Sequence, residues 1–145
     1  MAERISTQAR SALMAKVRSR GNASTELRLA TLFRRFKIHG WRRNQLVDGN
    51  PDFLFRRKRV AVFVDGCFWH GCQICYRRPA ANRLYWDAKV SRNKARDRHV
   101  NRTLRKKGWC VVRVWEHELK SSTALRCINK RRRMLDARNE DTNTI

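Results

Sequence analysis

Two short hydrophobic runs in the middle of the chain predict the centre of the fold. Residues 60–64 are apolar without interruption, which is typical of a strand buried on both faces, and Gly66 lets the chain leave that strand sharply. A second run, residues 51–55, precedes it across the basic stretch 56–59. The two runs therefore predict an antiparallel hairpin whose turn lies near Lys58.

Polar residues interrupt the apolar stripe of the longest predicted helix. This helix covers residues 82–107, with Asn82 as its cap and Gly108 as its stop. Spacings of three and four residues align its apolar positions, but Asn93 and Asp97 fall on the same stripe. We therefore expect the middle of this helix to face a site or a ligand.

The remaining elements complete an α/β fold. Amphipathic patterns predict helices over residues 26–37 and 123–135, and Val-rich or aromatic runs predict strands over 41–46 and 109–115. The order of elements indicates a mixed central sheet flanked by helices. The long helix makes residues 60–64 and 109–115 adjacent, parallel strands.

The chain is strongly basic along its whole length. Lys and Arg total 35 against 12 Asp and Glu, which leaves a net charge of +23. A basic surface of this kind indicates a polyanionic partner, and nucleic acid is the first choice. A ribosomal or architectural protein that only coats nucleic acid would explain the charge equally well. It would leave the Asp, His and Cys residues after the central strand without a use.

The compartment follows from what the sequence lacks. No run approaches the roughly 18 apolar residues of a membrane span, and the amino terminus does not have the order of a secretory signal. Five cysteines, three of them within nine residues, favour metal ligation in a reducing compartment over disulfides. We expect an intracellular, cytoplasmic protein that makes no contact with a membrane.

Two carboxylates lie at the ends of the predicted hairpin strands. Pairing about Lys58 sets Asp52 opposite Val64 and beside Asp65, so that two carboxylates and one backbone carbonyl converge. Oxygen clusters of this kind suit magnesium. Either carboxylate alone is better explained as a solvated residue at a strand end, but both together, with His70 nearby, favour a metal-dependent site.

Glu26 begins the first predicted helix. A carboxylate in the first turn complements the helix dipole, which explains the residue without any chemical role. Its spacing of three and seven residues from Leu29 and Phe33 nevertheless turns it toward the core. Glu26 is therefore also a candidate for the site.

Three cysteines and one histidine have the chemistry of a zinc site. Cys67, Cys72 and Cys75 supply soft ligands, and the predicted parallel strands bring His117 back toward Cys67. Cys3His is a common ligand set of closed, tetrahedral structural zinc. The alternative is three unpaired thiols in a reducing cell. The other two cysteines have no such neighbours and are expected to be core or surface residues.

The sequence resembles the very-short-patch repair endonucleases over about residues 11–119. The stretch Gly66 to His70 is highly specific for this family. The remaining segments that carry the resemblance are Pro51-Asp52, Val64-Asp65, Tyr85-Trp86, Asn93, Asp97-Arg98, Gly108-Trp109 and Trp115-Glu116-His117. The resemblance implies a fold related to type II restriction endonucleases. It also implies a magnesium-dependent enzyme with a structural zinc, which nicks one DNA strand 5′ of the thymine in a T:G mismatch that arises from 5-methylcytosine deamination.

The resemblance also implies roles for individual residues. Asp52 matches a carboxylate that binds magnesium, and Val64 matches the supplier of a backbone carbonyl. His70 matches the general base that activates water. Glu26 matches an acidic residue that helps to hold the metals or their water ligands, and Asp65 matches a catalytic position that is His in some members and Asp in many.

Residues that contact DNA follow from the same resemblance. Aromatic side chains match those that wedge into the base stack beside the mismatch, while an amino-terminal segment closes over the other groove. The implied DNA-contacting residues are Met14, Val17, Phe68, Trp69, Trp86, Lys89 and Asn93. The domain organisation is then a DNA-contacting segment at residues 1–20, a nuclease domain at 21–136 and a polar tail at 137–145.

Two other functions are open on the sequence alone. A non-catalytic nucleic-acid-binding module could use zinc and aromatics to stabilise a basic fold, and a nickase of the same fold could have a restriction or mobile-element target. Asp52 and His70 favour an enzyme over the module. The expected substrate is double-stranded DNA with a mismatch, and the expected enzyme is a bacterial monomer associated with the nucleoid, acting with downstream repair proteins.

Overall fold

A computed structural model describes residues 25–120 and 122–135 and shows a four-stranded mixed sheet with helices on both faces. The sheet order is β1-β2-β3-β4, with antiparallel pairing from β1 to β3 and parallel pairing between β3 and β4. The elements are α1 (Glu26–Arg35), β1 (Trp41–Arg42), β2 (Phe53–Phe55), β3 (Val60–Asp65), α2 (Arg83–Lys106), β4 (Cys110–Trp115), a 3-10 helix (Glu116–Leu119) and α3 (Ala124–Leu135). The predicted α/β class and the parallel crossover are confirmed.

The first strand is shorter than predicted. The aromatic and basic pattern predicted a strand over residues 41–46, but only Trp41 and Arg42 pair with β2. Asn44 has a φ of 54°, in the left-handed region, which ends the extended backbone. The residues that follow therefore form a loop beside the hairpin.

The hairpin forms as predicted, but its register differs by one residue. Phe53 pairs with Val62 and Phe55 pairs with Val60, so this register places Asp52 opposite Phe63 and not Val64. The turn occupies four residues, 56–59, which centres it half a residue before Lys58. The prediction that Asp52 lies opposite Val64 is therefore wrong, although the two residues are in contact through the Asp52 side chain.

Strand alternation divides the core between the two faces of the sheet. Phe53, Phe55 and Val62 point to the face that α1 and α3 cover, where Phe33 and Ile128 are fully buried. On the opposite face, Leu54, Ala61 and Phe63 pack with Leu104 of α2. The sheet is thus a rigid layer between helices, and its strand ends hold the residues of the site.

Helix α2 crosses the face of the sheet nearest the site. Trp86, Val90 and Leu104 are buried, as the predicted stripe requires. Asn82 stands at the cap position, but its φ of 55° is left-handed and its side chain makes no capping hydrogen bond. Gly108, with a φ of 85°, follows the helix as predicted. Within the described ranges, no helix is long and apolar enough to cross a membrane.

Candidate active site and metal centre

A polar cavity of about 490 Å³ opens where β2 begins and β3 ends. The residues that line it come from α1, the segment before β2, strand β3, the loop after β3, α2 and β4. The ionisable side chains among them are Glu26, Asp52, Asp65, His70, Arg96, Asp97 and Arg113. The structure therefore brings together all four of the predicted catalytic residues and adds further charged neighbours.

One side of the cavity holds a pair of acidic residues. Glu26 is only 5% exposed and accepts a hydrogen bond of 2.7 Å from Arg43 Nη2. Asp52 Oδ2 accepts a hydrogen bond of 2.7 Å from the Val64 backbone N–H. The pKa of Asp52 is raised to about 7, chiefly by burial and also by the hydrogen-bonded Glu26 carboxyl and the nearby Asp65, against the opposing effect of the Val64 N–H.

This acidic pair fits a divalent cation. Two carboxyl groups that are held together out of water repel each other when both are ionised, and a cation between them would relieve that repulsion. The donors are hard oxygens, which magnesium prefers. The predicted turn of Glu26 toward the interior is confirmed, since its side chain lies inside the cavity and not on the helix surface.

The other side of the cavity holds a histidine between two carboxylates. His70 Nδ1 lies 2.5 Å from Asp97 Oδ2 and 3.8 Å from Asp65 Oδ1. An ionised carboxylate only accepts hydrogen bonds, so Nδ1 donates to Asp97 and Nε2 carries the free electron pair in the neutral ring. Burial alone would lower the pKa of His70, but the hydrogen bond to Asp97 and the charge of Asp65 outweigh it and raise the pKa.

Asp65 does not join the acidic pair directly. Asp65 is 4% exposed, and its carboxylate lies against Arg113, whose Nη1 is 2.9 Å and 3.2 Å from the two oxygens. Burial raises the pKa of Asp65, while His70 and Arg113 oppose that effect. Asp52 and Asp65 therefore line the same cavity, as predicted, but they lie on different sides of it. Asp65 lies on the side of His70.

The sequence did not identify Asp97 and Arg113 as members of the site. Asp97 had a signal, because it interrupts the apolar stripe of α2, and the prediction that the middle of this helix faces a site is confirmed by its contact with His70. Arg113 had no comparable signal. A single basic residue within a strand is usually solvated, and only the pairing of β3 with β4 places it next to Asp65.

A second cluster lies immediately beyond the cavity. The donor atoms of Cys67, Cys72, Cys75 and His117 all lie within 4.8 Å of one another. His117 Nδ1 is 3.3 Å from Cys67 Sγ and 3.5 Å from Cys72 Sγ. The pKa of the Cys67 thiol is raised to about 11, chiefly by burial and also by the neighbouring thiols of Cys72 and Cys75. The predicted approach of His117 to Cys67 is confirmed, and the four residues could bind a metal ion.

The other two cysteines are isolated, as predicted. Cys110 is exposed on β4, and Cys127 is buried in α3. Neither belongs to a group of potential ligands within the described part of the chain. All five cysteines are free thiols in this structure.

Aromatic rings form a cluster on the same loop. Phe68 lies 5.3 Å from Trp69 and 5.2 Å from Trp86 between ring centroids. Phe68 and Trp69 are half-buried, whereas Trp86 is 6% exposed and lies beneath them. The long-range contact with Trp86 of α2 therefore covers part of the surface of the two rings that the resemblance assigns to the base stack.

The remaining predicted DNA contacts have different positions. Asn93 Nδ2 donates a hydrogen bond of 2.8 Å to the Trp69 carbonyl, so its amide positions the aromatic loop in this structure. Lys89 is half-buried on α2. Met14 and Val17 lie outside the described residues. DNA contact by these side chains stays a prediction.

Known proteins resemble the chain over most of its length. The family model described as DNA mismatch endonuclease Vsr matches residues 3–77. The type II nicking enzyme V.XorIIP of Xanthomonas oryzae pv. oryzae is 37% identical over 131 residues, which cover 86% of this chain and 92% of that enzyme. The Escherichia coli DNA mismatch endonuclease Vsr is 38% identical over 53% of this chain and 50% of its own length.

A third relative matches more closely over a shorter stretch. The type II nicking enzyme V.NaeI of Lentzea aerocolonigenes is 54% identical over 68 residues, which span 41% of that enzyme and 47% of this chain. The matched family model includes the acidic pair, the histidine and the three cysteines described above. The chain therefore belongs to the Vsr family of DNA mismatch endonucleases and is a DNA endonuclease.

Proposed function

We propose that the protein nicks one strand of duplex DNA on the 5′ side of the thymine in a T:G mismatch, by magnesium-dependent hydrolysis. The observation that carries this proposal is the composition of one cavity. A histidine with a free Nε2 and a pair of carboxyl groups suited to a hard cation line the same space. Phosphodiester hydrolysis needs both a base for water and compensation of the charge on the phosphate.

The residues of the chain divide this chemistry between them. Asp52 and Glu26, with the backbone carbonyl of Val64, would hold magnesium. When bound, the ion would offset the negative charge that develops on the phosphate. His70 Nε2 would accept the proton of the attacking water, while Asp97 holds the Nδ1 proton and stabilises the imidazolium.

Charge and aromatic rings support the choice of substrate. The net charge of +23 supplies phosphate contacts that do not depend on sequence and weaken with salt. Phe68 and Trp69 lie on the loop that carries His70. A ring that enters the stack of DNA bases would therefore bring the imidazole of His70 to the adjacent phosphate. Unstacking costs less at a mismatched step, which favours T:G sites over paired ones.

The Cys3His cluster would hold a structural zinc. Three thiolates and one imidazole form a complete tetrahedral set and leave no open position for a substrate. His70 lies between Cys67 and Cys72 in the chain, so a zinc ion would fix the loop that carries the base. A fold related to restriction endonucleases, with the division into residues 1–20, 21–136 and 137–145, is part of the same proposal.

The relatives' names support nicking of a single strand. Type II nicking enzymes and a mismatch endonuclease are the proteins that the chain matches. A monomer with one such cavity would cut one strand, and downstream repair proteins would then act at the nick in the bacterial cytoplasm. The non-catalytic module considered above is set aside, because the family is one of endonucleases.

A second candidate target follows from the same names. Several relatives are named as type II nicking enzymes, and only one of the relatives named above is called a mismatch endonuclease. A nickase associated with a restriction system would act on T:G mismatches only in one flanking sequence, or on another site altogether. Duplexes with the T:G pair in several flanking sequences would separate the two candidates.

The direct test uses end-labelled duplexes with T:G, T:A or C:G at one position, together with magnesium. We expect one nick beside the mismatched thymine and none in the paired duplexes. Asp52→Ala and His70→Ala should abolish cleavage and keep duplex binding. The matched controls are Asp48→Ala and His99→Ala, which change an exposed residue of the same type outside the cavity. Equal nicking of all three duplexes would overturn the mismatch assignment.

A further inference from the structure

Arg113 occupies an unusual position for a charged residue on a strand. Its side chain is 19% exposed, and its guanidinium lies 4.4 Å from the ring centroid of Phe63. Its Nε donates a hydrogen bond of 2.8 Å to Asn101 Oδ1 of α2. The guanidinium is therefore fixed by the sheet below it and by the helix beside it, and it faces the cavity with Nη1.

Two carboxylates share this nitrogen. Nη1 lies 2.9 Å and 3.2 Å from the oxygens of Asp65, and 3.5 Å from Asp97 Oδ1. The other oxygen of Asp97 is the one that contacts His70 Nδ1. Arg113 thus joins a residue of β3 to a residue of α2, and both carboxylates border the same imidazole.

We propose that Arg113 is a positioning residue, which clamps Asp65 and Asp97 into one unit that orients His70, and that Asp65 serves this unit and not the magnesium ion. The inference rests on the proposed function for its effect on the reaction. The clamp itself consists only of side chains of this chain and exists without any substrate or metal ion. It gives Asp65 a role in place of the magnesium binding that its place beside Asp52 suggested in the sequence.

The geometry explains why Asp65 is committed to the clamp. Both of its oxygens face the same guanidinium nitrogen, and its carboxylate is nearly excluded from water. Binding a cation would require Asp65 to lose a buried, charge-assisted hydrogen bond, which is among the stronger polar contacts in proteins. Asp52 has no such contact with an arginine among the described residues, and its partners are a backbone N–H and Glu26.

Charge explains why the unit needs an arginine. Asp65 and Asp97 would repel each other across the imidazole if no cation lay between them. Arg113 removes that repulsion and leaves Asp97 aligned on Nδ1, which keeps the free electron pair on Nε2. A residue without charge at position 113 would free Asp97 to turn away, and His70 would lose its preferred tautomer.

The alternative is that Arg113 only ties β3 to β4 as a structural ion pair. The two roles differ in what they change. A structural pair changes the free energy of unfolding and nothing else. A positioning residue also changes the location of the histidine proton and the nicking rate of the folded enzyme, at unchanged affinity for the duplex.

The test compares Arg113→Gln, Arg113→Lys, Asp65→Asn and the double variant with the wild type. The first measurement is the first-order nicking rate of a T:G duplex at saturating enzyme. We expect Arg113→Gln and Asp65→Asn each to lower this rate about tenfold or more, with unchanged duplex affinity. The double variant should be no slower than the slower single variant, and Arg113→Lys should recover part of the rate.

Magnesium distinguishes the two possible roles of Asp65. The magnesium concentration for half-maximal nicking should be the same in Asp65→Asn and the wild type. A higher requirement in Asp65→Asn that Arg113→Gln does not share would identify Asp65 as a ligand and overturn the proposal. Additive losses in the double variant would also overturn it.

A spectroscopic measurement tests the clamp without any reaction. Histidine-labelled protein should show the His70 proton on Nδ1 in the wild type and in Arg113→Lys, and a mixture of tautomers in Arg113→Gln. The same tautomer in all three proteins would refute the clamp. This readout keeps its meaning even if the wild type fails to nick T:G duplex, which would instead refute the proposed function.

The matched control is Arg59→Gln. Arg59 also lies over an aromatic ring, 4.7 Å from the centroid of Trp109, and it bridges the turn before β3 to the chain before β4, through the Lys107 carbonyl. It lies at the opposite end of the strand pair and outside the cavity. We expect Arg59→Gln to keep the nicking rate and the His70 tautomer, so a matching loss in both arginine variants would refute a local effect.

Discussion

Gly71 allows a quantitative test of how the loop that carries Cys67, Cys72 and Cys75 is held against α2. Its φ is +61°, and a Cβ atom built there would lie 2.6 Å from Val90 Cγ1 and 2.7 Å from Lys94 Cε. The lysine can move, since it is long and exposed, but Val90 is buried and fixed. Gly71→Ala should therefore combine backbone strain with a steric overlap.

The two costs can be estimated separately. A left-handed alanine costs about 1–2 kcal/mol, and overpacking against a fixed side chain costs about 1–3 kcal/mol. Replacing glycine by alanine also lowers the conformational entropy of the unfolded chain, and this stabilises the folded state by about 0.4–1 kcal/mol. We expect Gly71→Ala to lower the free energy of unfolding by about 2–3 kcal/mol, and to lower nicking because His70 moves with the loop.

The assay is urea unfolding of Gly71→Ala and Gly108→Ala, followed by the nicking rate of the folded proteins. Gly108 has a similar φ of +85°, but a Cβ there would meet only the exposed Arg59 side chain at 3.6 Å. Gly108→Ala therefore introduces the backbone strain without the steric overlap. Its free energy of unfolding should fall by about 1 kcal/mol. Equal losses in the two variants would refute the packing of the loop on Val90.

Four further predictions concern the candidate site and the cysteine and aromatic clusters beside it. Asp97→Asn should lower the nicking rate about a hundredfold at unchanged duplex affinity, because it removes the charge that holds His70 Nδ1, and a normal single-turnover rate would contradict this. Cys72→Ser should lower both the metal content and the thermal stability, whereas Cys110→Ser, exposed and outside the cluster, should change neither; full zinc content in Cys72→Ser by elemental analysis would contradict the ligand set. Trp69→Ala should lose most of its preference for T:G over T:A duplex in binding assays at physiological salt, since stacking is worth about 1–3 kcal/mol per base. Trp86→Ala should lose the same preference and more stability, because Trp86 is buried beneath the other rings.

The hairpin shows how far the sequence alone could predict this site. Two apolar runs and a basic turn were enough to place Asp52 and Asp65 near the same strand ends. The predicted register differs from the observed one by one residue. The basic stretch 56–59 does not show whether the turn is centred on Lys58 or between Arg57 and Lys58. Asp52 still contacts Val64, because its side-chain carboxylate accepts a hydrogen bond from the Val64 backbone N–H although its backbone lies opposite Phe63.

Long-range contacts account for what the sequence could not show. Arg113 is one basic residue among many, and its partners Asp65 and Asp97 are distant in the chain. The burial of Trp86 likewise depends on how the loop after β3 folds onto α2. Period and propensity describe neighbours along the chain, so they cannot predict which of several charged or aromatic residues will meet across the fold.

The loop after β3 places unusual limits on evolutionary change. His70 N donates to the Gly66 carbonyl, and Cys72 N donates to the Cys67 carbonyl, so two tight turns overlap within seven residues. One residue inserted or deleted here would either displace the imidazole from Asp97 or separate the thiols from His117. The contact of His70 with Asp97 and the approach of the thiols to His117 thus both depend on the number of residues between Gly66 and Cys72. We expect lineages that diverge elsewhere to keep the length of this loop even where its side chains change.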